Sequence, residues 1–233
     1  MPLFHPLIVK MERDGLLPKG SGRAATLREC AIFLVHLLVL LAVAISTHAH
    51  AQIPGAAQAH QRELTRIVQQ EWGLNGSVAL HAAQIHQESA WRPHVVSPVG
   101  AEGLSQFMPT TSEWLVEVYP DLGHATPYSP SWSMRAMVRY NRWHWQRIEA
   151  ADECEHWAMT LSAYNGGLGW LRRDQRLAVE AGDDPLYWFD NVERHTARAS
   201  WALQENRHYV RRILIELEPR YRRSGWRGDP ICP

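Results

Sequence analysis

One carboxylate, Glu88, stands where acid chemistry is most readily built. It ends an apolar run through Val78, Leu80, Ala83 and Ile85, and Trp91, Phe107 and Met108 follow it. A carboxyl pressed against such neighbours keeps its proton toward neutral pH, because loss of water disfavours the charged form. A proton held there is what cleavage of a glycosidic bond asks of a general acid. Gly100 and Gly103 remove side chains where backbone turns tightly or approaches a ligand, and the chain is expected to restart as a helix near Leu104. Pro109, with Thr110, Thr111 and Ser112 behind it, also reads as a helix start. A lone Glu at a helix end is ordinarily a solvated acid; here the surrounding pattern singles it out. His81 and His86 lie five apart and share no helix face, and no HExxH or CxxC spacing occurs, so neither a metal nor another cofactor is implied.

Helices must position this acid. Residues 61–72 carry Leu64, Ile67, Val68 and Trp72 at helical spacing. Trp72 to Gly76 interrupts them, and Ser77 is a candidate cap for a second helix ending at Glu88. A helix through 113–119 is stopped with the help of Pro120, and 121–130 is a loop by composition. Residues 131–150 restart with Ser131 at the cap and an aromatic face that includes Trp132 and Trp143. Most of those rings belong to the core, and some suit the flat faces of sugars. A helix over 154–169 should end at Gly166 and Gly167, and another falls within 201–217. Between them, Trp188, Phe189 and Asn191 are expected to form one wall of a groove. The whole reads as all-α.

At the amino end, residues 31–45 are an almost unbroken apolar run after Arg23 and Arg28, and Ala49-His50-Ala51 has the small-x-small form of a cleavage site. This is expected to be a signal peptide over 1–51; at 15 residues the run is short for a membrane span. Membrane association follows only if that segment is retained. The 24 basic and 24 acidic residues lose five and three with it, leaving 19 against 21. A nucleic-acid reader would be clearly basic, so nucleic acid is not an expected partner. Cys30 goes with the leader, and Cys154 and Cys232 remain as a candidate disulfide in an oxidising compartment.

Three motifs carry a family resemblance. Glu88 and Ser89 are followed by Ser97, Gly100, Ala101, Gly103, Leu104, Gln106, Pro109 and Thr111. Ala163-Tyr164-Asn165 leads to Gly167, and Glu205-Asn206-Arg207-His208-Tyr209-Val210 comes later. The order and spacing resemble the soluble lytic transglycosylase family over residues 77–218, with 52–76 as an amino-terminal segment and helix and 219–233 as a tail. Asn206 stands where the family usually has Thr, and Ser105 where it often has Met.

The resemblance implies an all-α, lysozyme-like domain that acts on peptidoglycan strands in the periplasm. It implies Glu88 as the single acid and base that cleaves the bond between N-acetylmuramic acid and N-acetylglucosamine, leaving a 1,6-anhydro sugar. Ser97, Gln106, Met108, Tyr164, Asn165 and Glu205 would orient sugars or tune that acid, and Tyr209 would face the core. Two alternatives stay open: a goose-type lysozyme-like hydrolase of the same polymer, and a non-catalytic wall-binding or assembly module. Glu102 is the only acid between residues 89 and 112, which favours the first reading over the hydrolase.

Overall fold

The computed structural model describes residues 53–233, so the expected leader lies outside the described residues. From its amino end the chain forms α1 (Gly55–Trp72), α2 (Val78–Ser89), α3 (Pro109–Val118), α4 (Pro130–Trp145), α5 (Glu153–Gly166) and α6 (Leu168–Ala181). A last helical stretch runs through α7 (Ser200–Arg211), a π-helical segment (Arg212–Leu217) and α8 (Glu218–Arg223). Among the described residues there is no strand; isolated bridges join Val96 to Glu102 and Glu102 to Phe107. No described helix is long and apolar enough to cross a membrane.

The core is built around α2. Ser77 caps it, its side chain accepting a hydrogen bond from the Leu80 amide at 3.2 Å. Every residue from Val78 to Ile85 is buried, and a helix hidden on all sides must be surrounded by others. Its neighbours include α1, the π-helical segment and α8. α5 forms the second centre, packed against α4, α6 and α7.

Several boundaries depart from expectation. No helix begins near Leu104; positive φ angles at Gly100 (87°), Gly103 (74°) and Gln106 (49°) are incompatible with a right-handed helix, which waits for Pro109. α4 starts at Pro130 rather than at Ser131, since proline's fixed φ suits a first helical turn. It ends at Trp145, where the Arg147 and Ile148 amides bond the carbonyls three residues back, of His144 and Trp145. Trp188 is no groove wall: it is 1% exposed and belongs to the core. The segment 168–181, unassigned in the sequence, is the helix α6.

The carboxyl-terminal residues belong to the body. Trp226 is buried against Trp91 and Tyr221, and the Arg227 carbonyl accepts the Ala79 amide at 2.8 Å, next to the cap of α2. Cys232 is disulfide-bonded to Cys154 across 78 residues, with Cα atoms 4.8 Å apart. Closing a loop of that length stabilises a fold by on the order of 4 kcal/mol in the chain-entropy account.

Candidate active site

Glu88 occupies the last turn of α2, and the backbone leaves the helix sharply after it. Ala90 (φ 49°) and Trp91 (φ 64°) are both left-handed, a conformation that residues with a Cβ adopt reluctantly. Contacts on either side hold it. The Ser89 hydroxyl donates to the Leu104 carbonyl at 2.8 Å, and the Trp91 indole donates to the Tyr221 hydroxyl at 2.6 Å. The turn thus delivers Glu88 beside the glycine loop.

Glu88 keeps some exposed surface, yet its carboxyl is poorly hydrated. Burial is the largest influence on it and raises its pKa from 4.5 to about 8, with the charge of Glu205 pushing the same way. Opposing them is a hydrogen bond from the Tyr209 hydroxyl to Oε1 at 2.5 Å. Among the described residues no arginine, lysine or histidine pairs with Glu88, so at neutral pH the acid keeps its proton. Tyr164 lies near enough for Glu88 to help burial raise its pKa. Its hydroxyl, however, donates to the Ser105 carbonyl at 2.8 Å. The tyrosine that bonds Glu88 is therefore Tyr209, for which the sequence suggested only a core position.

The other candidates separate into two groups. Ser97 and Gln106 brace the loop: the Ser97 hydroxyl accepts the Ala101 amide at 2.9 Å, and Gln106 Nε2 donates to the carbonyls of Val95 and Gly103 at 3.2 and 2.8 Å. Gly103 is seated so closely that an added Cβ would lie 1.9 Å from the Pro127 carbonyl oxygen. Met108 (41% exposed), Asn165 and Glu205 face solvent. Asn165 is held from behind, since its Oδ1 accepts Nδ2 of Asn206 at 2.8 Å, while Asn206 also bonds the Ser162 hydroxyl and carbonyl. Asn206, at the position where Thr was expected, therefore ties α7 to α5. Cys154 and Cys232 sit at the opposite end of α5 from Tyr164 and act on the fold.

A cavity of about 470 Å³ is lined by Thr110, Thr111, Trp114, Tyr140, Trp143 and Leu168. The Tyr140 ring lies 5.3 Å from that of Tyr164, which places this aromatic hollow beside the Glu88 corner. A larger one, about 590 Å³, is lined by Arg147, Arg172 and Arg176 among others and includes none of the residues around Glu88. Ring stacking on sugars suits the first and not the second. Among the described residues, no group of three or more His, Cys, Asp or Glu is placed to hold a metal ion.

Comparison with known proteins agrees with this geometry. Residues 63–186 match the family described as the transglycosylase SLT domain. The chain is 36% identical over 115 residues to the membrane-bound lytic murein transglycosylase F of Marinobacter nauticus, covering 49% of this chain and 22% of that protein. It is 32% identical over 176 residues to the membrane-bound lytic murein transglycosylase F 1 of Alkalilimnicola ehrlichii, covering 69% and 34%. The chain thus spans about a fifth to a third of the length of these relatives. Among solved structures, an inactive variant of lytic transglycosylase Slt from Pseudomonas aeruginosa superposes with a TM-score of 0.54 at 22% identity, over 75% of this chain and 26% of that one. A complex of the 70-kDa soluble lytic transglycosylase with bulgecin A gives 0.50 at 24%, over 72% and 25%. These two likenesses establish the all-α, lysozyme-like fold. The family match stops short of α7, so Glu205 and Tyr209 reach the corner from outside it. With more than half its length under that match and Glu88, the glycine loop and Tyr164 assembled at one corner, the chain belongs to the transglycosylase SLT domain family.

Proposed function

We propose that the protein is a lytic transglycosylase of peptidoglycan, acting in the periplasm of the cell envelope with Glu88 as its single acid and base. The observation that carries this reading is the poor hydration of Glu88: a carboxyl that, among the described residues, has no cation beside it, and whose pKa burial raises to about 8, is a proton donor at neutral pH. Glu88 gives its proton to the glycosidic oxygen as the bond from the muramic acid anomeric carbon breaks. The resulting carboxylate then takes the proton from the C6 hydroxyl of the same sugar as that oxygen bonds to the anomeric carbon. The product is a 1,6-anhydro end, and no water is consumed. Tyr209 stabilises the carboxylate between the two transfers, since a hydrogen bond to the charged form favours it. Met108 and Asn165 face the solvent side, where glycan would lie, and Tyr140, Trp114 and Trp143 offer ring faces to sugar units.

Glycosidases that use water ordinarily work with two carboxylates. Here Glu205 is the second nearby acid, and the products decide its role. Digestion of purified peptidoglycan followed by mass analysis should give anhydro fragments, lighter by one water than hydrolysed ones. Reducing-end fragments would make the protein a hydrolase, and no fragments would make it a wall-binding module. Glu88→Gln, which keeps size and removes the titrating proton, should lower the rate by about a thousandfold; a variant that folds and cuts at the parent rate would refute the mechanism.

A further inference from the structure

One turn before Glu88 on the same helix lies Gln84, fully buried, and opposite it on α4 lies Asn141, also fully buried. The two amides pair face to face: Asn141 Nδ2 donates to Gln84 Oε1 at 2.6 Å, and Gln84 Nε2 donates to Asn141 Oδ1 at 3.4 Å. Gln84 Nε2 also donates to the Tyr209 hydroxyl at 3.1 Å. A polar pair in the middle of an apolar core is costly unless fully bonded, and two hydrophobic side chains would pack there at no such cost. Its placement one bond from the tyrosine that touches Glu88 accounts for its presence.

A phenol has a single proton to donate. Gln84 presents an N–H to the Tyr209 oxygen, so the Tyr209 proton turns to the remaining partner, Oε1 of Glu88. Asn141 in turn holds Gln84 in that sense, by occupying its carbonyl. We infer that Gln84 and Asn141 are positioning residues that fix Tyr209 as a one-way donor to Oε1 of Glu88, reserving Oε2 for the proton exchanged with substrate. The inference rests on the acid role given to Glu88 above and adds to it the atom at which both proton transfers occur. It also identifies what a reversed amide pair would do: Gln84 would offer its carbonyl, the Tyr209 proton would leave Glu88, and Oε1 would lose its donor.

The groups acting on the charge of Glu88 are Tyr209 and Glu205 from α7, and Glu88 in turn helps raise the pKa of Tyr164 on α5. On the far side of α2, Arg212 and Arg220 act on His86. Gln84 and Asn141 are neutral, so they influence Glu88 through Tyr209 or through the apolarity of the site, and a cycle of substitutions separates the two. In the Gln84→Met/Asn141→Leu variant, the ¹³C carboxyl titration of Glu88 should move to higher pH. Its kcat should fall by about threefold with KM unchanged, because a Tyr209 hydroxyl that no longer accepts from Gln84 is a weaker donor to Oε1. In a Tyr209→Phe background the same two substitutions should move neither quantity. An equal shift in both backgrounds, or none in the parent background, overturns the inference.

A second readout needs no substitution. In the parent protein the Gln84 side-chain amide protons should show nuclear Overhauser contacts to the Tyr209 ring protons beside its hydroxyl. Contacts to Asn141 alone would mean the reversed pair and would equally overturn it. The titration and these contacts are read without substrate. A parent that yields no anhydro product would therefore refute the functional reading while leaving this one to be judged separately.

Discussion

Glu88 and Glu193 are two carboxylates of one helical body, and the fold treats them in opposite ways. Glu193 has a side chain 1% exposed and is surrounded by donors. Arg211 bonds both its oxygens, through Nε at 2.9 Å and through Nη2; the Asp190 amide adds a bond at 3.0 Å, and Arg207 stands 3.5 Å away. Glu155, another buried acid, accepts the Trp188 and Phe189 amides at 2.6 and 3.1 Å. Glu88 receives one phenol. Removing a charge from water is costly, and structural acids offset that with cations or amides. An acid left without them keeps its proton instead, which makes it useless as a strut and suitable as a catalyst. The left-handed pair Ala90 and Trp91 belongs to the same corner, so backbone strain accompanies the uncompensated acid there.

The contrast can be tested by substitutions whose effects on stability have opposite signs. The largest should come from Arg211→Met, which leaves Glu193 buried without its main partner. Urea unfolding at pH 7 should show a loss of about 3 kcal/mol. A variant as stable as the parent would mean that the ion pair does little for the fold.

Glu88→Gln should do the reverse. The folded pKa of Glu88 is about 8 and its ordinary value 4.5, so the parent is favoured by this group below 4.5 and loses that contribution as pH climbs from 4.5 to 8. At pH 8 the variant should be more stable than the parent, and at pH 4.5 the two should nearly coincide. Thermal unfolding at the two pH values measures this. A variant less stable than the parent at pH 8 would contradict a desolvated, unpaired carboxyl.

Smallest of the three, Ala90→Gly relieves a left-handed φ and should stabilise the chain by about 0.5 to 1 kcal/mol, less the entropy that glycine adds to the unfolded state. The same unfolding assay reads it. Destabilisation would show that the Ala90 methyl contributes more packing than its conformation costs.

Much of this corner was legible from local signals. Glu88 and the glycine loop formed a pattern of residue types at fixed spacing, Ser77 announced its helix by cap chemistry, and α5 ended at its glycines. What could not be read was which distant residues meet. Tyr209 lies 121 residues from Glu88, and the family resemblance implied a core position for it without revealing its partner. The available hint was chemical: a tyrosine buried beside Val210 and Ile213 must find a bond for its hydroxyl. Gln84 and Asn141 interrupt apolar faces, and only the crossing of α2 and α4 brings them together. The helix Leu168–Ala181 escaped notice because it adds little to the core: only Leu171, Asp174 and Ala178 are buried along its length. Cys154 and Cys232 could be proposed as partners from their number, and the seat of the carboxyl terminus on Ser77 and Ala79 could not.

The most direct test is a titration of Glu88 itself. With ¹³C-labelled glutamate, and Glu88→Gln to assign the resonance, the carboxyl of the folded protein should titrate with a midpoint near 8. A midpoint near 4.5, the value of a solvated glutamate, would leave this acid ionised at neutral pH and contradict its role as proton donor.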